Sequence, residues 1–175
     1  MFRKILKVAC LIPLALALWQ CGASHPKAPG PYASTVRLAF TPKSQAAMAQ
    51  YKDNIAIVAY YYGDPVPQHK EPLDAAGRLI LGEERHGWTA NARRAPLDGA
   101  VDPALLPQIR GPVQMLVTAY SVQPVGASDD IIHCKSWIGT VKEAQERSPL
   151  VACEMEDNDT DSADDIVAAD EASSQ

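Results

Sequence analysis

The chain has 175 residues, enough for one domain with a sizeable core, and a formal charge of −5 with 47% apolar residues. The charge is uneven: residues 154–175 hold nine Asp/Glu and no base, whereas residues 22–153 hold 13 Lys/Arg against 12 Asp/Glu. That balance excludes a nucleic-acid partner, which needs a basic face.

Met1 to Lys7 carries three bases and no acid, and Val8 to Trp19 is apolar throughout. As a helix this core rises about 18 Å against a bilayer interior of about 30 Å. The pattern, with Gly22, Ala23 and Ser24 behind it, predicts an export signal peptide over residues 1–20 rather than a membrane span. Cys21 ends the apolar core, with Leu18 three residues before it and Gly22 after it, which resembles the lipobox of bacterial lipoproteins. Trp19 and Gln20 depart from the small residues usual in that motif. The resemblance implies lipidation of Cys21 and a bilayer as partner, since several acyl chains anchor stably where one does not. It also implies a periplasm-facing envelope location, on the outer membrane because Gly22 rather than Asp follows the cysteine. Cleavage behind Ala23, leaving a soluble periplasmic protein, is the competing reading. Residues 21–33 then form the lipidated end and a Pro-rich tether.

From residue 34 to residue 156 short strands alternate with turns. Val36, Leu38 and Phe40 alternate with Arg37 and Ala39, the mark of a half-buried strand. Ser44 is placed to cap a short helix. Residues 54–63, apolar on both faces, read as a central strand stopped by Gly63-Asp64-Pro65. Residues 77–84 and 87–94 read as a hairpin. Asp102-Pro103 opens a second short helix that Pro107 cuts off. Residues 112–122, 130–139 and 149–156 complete about seven strands, with Asp129-Asp130 as a turn. Fourteen prolines argue against long helices. The prediction is an all-β fold, a small antiparallel sandwich of immunoglobulin-like or transthyretin-like type with one or two short helices.

Residues 157–175 read as a disordered acidic tail, too poor in apolar surface to offset the entropy of ordering it. Asp157, Asp159, Asp161 and Asp165 match part of a calcium-loop spacing, but Ser162 replaces the loop glycine and Ala168 the bidentate glutamate. Cys134 shares a strand face with Ile132 and Ile138, and Cys153 with Val151 and Met155. In an oxidising compartment these two thiols are expected to form a disulfide.

No familiar catalytic motif is present, and no histidine stands at i+2 or i+4 from another, so no metal and no cofactor are assigned. The richest chemical stretch is Glu83-Glu84-Arg85-His86-Gly87-Trp88, where either glutamate beside His86 offers an acid/base pair, and a charged strand end is the plainer reading. Tyr60 and Tyr62 share a strand face. With His86 and Trp88 they make the candidate binding surface. The expected function is a non-catalytic binding or assembly component of the envelope, its partner another envelope protein. The plan resembles, without shared motifs, the lipoproteins that anchor type VI secretion complexes. A periplasmic enzyme with a loop site near His86 is the alternative.

Overall fold

A computed structural model describes residues 29–51, 54–89, 93–122, 132–155 and 162–173. Cys21, the signal peptide, most of the tether and Asp129-Asp130 lie outside these. In chain order the elements are β1 (Ser34–Phe40), α1 (Pro42–Tyr51), β2 (Asn54–Pro65), β3 (Leu79–Thr89) and β4 (Arg94–Leu97). A single 3-10 turn (Leu106–Gln108) leads into β5 (Ile109–Val122), β6 (Ile132–Cys134), β7 (Trp137–Thr140), α2 (Val141–Arg147), β8 (Leu150–Met155) and α3 (Ala163–Ser173).

The strands form two four-stranded sheets, β4-β1-β8-β6 and β3-β2-β5-β7. Val36, Leu38, Val151 and Ile132 of the first meet Ile57, Ala59, Met115 and Val117 of the second in one core. That arrangement fits the expected sandwich. One pairing departs from it: β1 and β8 run parallel, Arg37 opposite Leu150 and Phe40 opposite Cys153. β2 lies between β3 and β5, which is why its outward residues Ala56 and Val58 are also buried. Apolar character on both faces gave that position away.

The predicted hairpin at 77–94 does not form. Gly87 sits in an unbroken ladder opposite Ala56, so β3 runs on to Thr89, and β4 joins β1 in the other sheet. The expected strand 130–139 is two strands in different sheets, because the chain crosses over at Lys135-Ser136. The first helix is capped by Thr41, not Ser44: Thr41 Oγ1 accepts from the Ser44 amide, with Pro42 in the first helical position. Asp102 Oδ1 accepts from the Ala104 amide, and with Pro107 in the turn only the 3-10 turn follows. The unpredicted α2 is set by a capping box in which Thr140 and Glu143 bond each other's backbone amides.

Over 162–173 the structure departs from the expected disordered tail. Ala163, Ile166, Val167 and Asp170 recur at helical spacing and form the less exposed side of α3. Asp164 and Asp165 sit in the first turn, where the helix dipole favours acids. Asp170 grips the Arg37 guanidinium with two bonds of 2.6 Å, and Lys135 pairs with Asp164. Ala152, on the side of β8 opposite the core residues Val151 and Cys153, is fully buried.

Cys134 and Cys153 are directly opposite each other on antiparallel β6 and β8 and are bonded, with Cα atoms 4.0 Å apart. Removing the bond with a Cys134→Ser/Cys153→Ser double substitution should lower stability by about 3 kcal/mol. Urea unfolding of the two proteins measures the difference, and peptide mapping before and after reduction identifies the link.

Candidate functional site

The chemistry gathers at one edge of the molecule, where β3 ends the second sheet and β4 ends the first. Alternation along β3 sends Glu84, His86 and Trp88 to the face that Ala59 and Ile57 share with the core, and Glu83 and Arg85 to the outer face. Of the two glutamates considered from sequence, Glu84 is therefore the partner of His86; Oε2 lies 2.8 Å from His86 Nε2.

Glu84 is 9% exposed, and each carboxylate oxygen has two partners. Oε1 accepts from the Tyr61 hydroxyl and from the Gly99 amide at 3.0 Å. Oε2 accepts from His86 and from the Asp98 amide at 2.8 Å. Burial alone would raise this carboxyl, but the bonds from His86, Tyr61, Asp98 and Gly99 outweigh it and hold the acid below its ordinary range. The Tyr61 phenol is pushed far above its usual value, first by burial, then by its bond to Glu84 and the charges of Glu84 and Asp98. It stays a protonated donor.

The local sequence explains why the turn after β4 can reach this carboxylate. A β-bulge at Leu81-Gly82 turns both residues inward, and any side chain at Gly82 would run into the Ala100 carbonyl. Gly99 has φ +76°, with Tyr32 and Ala33 packed where a Cβ would stand. One ligand atom from each of Glu84, His86 and Asp98 lies within 4.8 Å of the others. Asp98 itself is exposed.

The four residues expected to form one binding surface fall on two faces. Tyr60 and Tyr62 lie on the outer face of the second sheet, where Arg78 stacks on Tyr62 at 4.4 Å. The register sets Ile138, Leu116, Tyr60 and Glu83 in one row across four strands of that face. His86 and Trp88 are on the opposite face, Trp88 packed against the core with its indole N–H unpartnered. Alternation alone carries this split. The sequence reading missed Tyr61 and Asp98. The first is the inward member of a Tyr60-Tyr61-Tyr62 run and needs a partner for its hydroxyl; the second belongs to an Asp-Gly turn signal left unused.

Comparison with family models, with curated proteins and with solved structures found no match to this chain.

Glu84→Gln should cost about 2 kcal/mol at neutral pH, because its amide group faces donors it cannot accept from. The wild-type advantage is full above the ordinary carboxylate range, near pH 4.5, and shrinks as pH falls through the lowered value of the folded state. Urea unfolding of both proteins from pH 7 to pH 3 checks the size and the sign. Gly82→Val, which closes the approach of Ala100, should be at least as damaging.

Proposed function

We propose that the chain is a lipid-anchored envelope protein of bacteria that acts by binding another envelope protein, not by catalysis. The observation that carries the binding reading is the outer face of the second sheet. Ile138 is 64% exposed there, beside half-buried Leu116 and Tyr60. Among the described elements α1 and α3 lie against the other sheet, and α2 plugs the end of the core with Val141 and Ala144, so no helix covers this row. Solvent-exposed apolar rows rimmed by charge, here Glu83 and Arg85, are characteristic of interaction surfaces. The occupant this surface fits is a protein with an apolar patch of its own.

The cross-strand disulfide supports an oxidising compartment, in keeping with the export signal and with lipidation at Cys21. The non-catalytic reading draws support from Glu84, whose oxygens are all engaged with the protein's own donors. Of the two expected topologies we favour the transthyretin-like one. In a constant-type immunoglobulin domain the first two strands are neighbours in one sheet, whereas here β1 and β2 belong to different sheets.

Two experiments test the proposal. Labelled palmitate should enter the wild-type chain, and Cys21→Ser should abolish labelling and move the protein out of the membrane fraction; an unlabelled, wholly soluble wild type overturns the anchor. A photo-crosslinking residue at position 138 should capture a discrete envelope protein, whereas one at exposed position 142 on α2 should not. With the crosslinker moved to position 83 of the same row, Ile138→Asp should weaken the capture by about tenfold or more while leaving the melting temperature within a few degrees. Equal capture from positions 138 and 142 overturns the surface.

A further inference from the structure

We propose that Glu84, His86 and Asp98 form a binding site for a divalent transition-metal cation. Their ligand atoms converge to within 4.8 Å of one another from two different sheet edges, two from β3 and one from the turn after β4. One imidazole nitrogen and two carboxylate oxygens suit Zn2+, Mn2+, Fe2+ or Co2+, while the donor count is too small for Ca2+, which takes six to eight oxygens. His86 is part-exposed and Asp98 exposed, so the remaining coordination positions face water. The site is open to water and its ion exchangeable, unlike a closed structural centre.

The charge balance points the same way. Glu84 is a nine-tenths-buried carboxylate whose one ion-pair partner among the described residues is His86. Asp98 makes no side-chain hydrogen bond or ion pair among them. Arg85, the nearest base in sequence, is on the other face of β3 and stacks on Tyr120. Two negative charges therefore share one imidazole, and a divalent ion supplies the missing positive charge.

The hydrogen bonds around Glu84 provide the outer shell such a site needs. His86 Nε2 and Glu84 Oε2 face each other at 2.8 Å, both within reach of one ion. A cation entering between the two takes the Nε2 lone pair of the neutral ring, whose single proton moves to Nδ1, and leaves the Tyr61, Asp98 and Gly99 bonds to Glu84 in place. Those bonds fix the carboxylate in the orientation the ion meets, as outer partners do in known metal centres. The bound ion would tie the edge of one sheet to the edge of the other. The inference does not rest on the anchor or on the outer-face surface, and stands if either fails.

The test uses the full chain in detergent, stripped with a chelator and titrated at neutral pH with Zn2+, Mn2+ and Ca2+ by calorimetry, with thermal melts in parallel. One Zn2+ or Mn2+ per chain is expected, with a raised melting temperature and no comparable response to Ca2+. Asp98→Asn, at an exposed position, should leave the metal-free melting temperature unchanged and weaken binding at least about tenfold. His86→Gln should do the same to binding. No stoichiometric uptake of either transition ion overturns the proposal. So does uptake that Asp98→Asn leaves intact, which would place the ion on other histidines such as His69 or His133.

Discussion

One buried negative charge organises the edge of this protein. Removing a carboxylate from water is costly unless its lone pairs are filled, and Glu84 has all of them filled by donors from three parts of the chain. Tyr61 comes from the strand beside it, His86 from its own strand, and the Asp98 and Gly99 amides from the turn that leaves the opposite sheet. The close approach at Gly82, the left-handed Gly99 and the inward bulge at Leu81-Gly82 all serve this convergence. The same carboxylate both stitches two layers and sets a cluster of ligating atoms at the rim.

Sequence pattern was informative wherever burial is one-sided or complete. β1 alternates, β2 is apolar on both faces, and they were legible as a half-buried and a central strand. The pairing of Cys134 with Cys153 followed from shared apolar faces and compartment. What escaped was connectivity. Gly87 carries no local mark that separates a turn from an extended residue, so one long strand read as a hairpin; Lys135-Ser136 holds neither glycine nor proline, so two strands in different sheets read as one. The capping box of α2 was present as Thr140-Val141-Lys142-Glu143 but lay inside a stretch assigned to a connection.

Over residues 162–173 composition and arrangement point in different directions. Nine acids in 22 residues suggest a solvated coil. The arrangement matters more: two acids open the helix, Ile166 and Val167 share a stripe with Ala163, and Asp170 completes the stripe opposite an arginine on β1. A short helix of this kind is marginal alone, and its order here is bound up with the surface beneath it. The candidate surface was likewise only half legible. Tyr60 and Tyr62 share a face as expected, but His86 and Trp88 point the other way, since their partners on β2 are the inward Ile57 and Ile55.

The parallel pairing of β1 with β8 sets the order in which the chain can assemble. Arg37 and Leu150 are partners across almost the whole length of the domain, and contacts so distant in sequence are slow to form because a long loop must close first. Both strands flanking β1, β4 and β8, reach it from later in the chain, and β8 follows every other strand of the two sheets. The centre of that sheet cannot close on a partial chain. Cys134 and Cys153 both lie beyond β5, the second of them on β8 itself, so the covalent cross-link has to wait for the same segment. β1 can take β4 as a partner early, but its other edge stays open until residues 150–155 arrive, so a chain that lacks them holds half a sheet with an unfilled strand position beside its core.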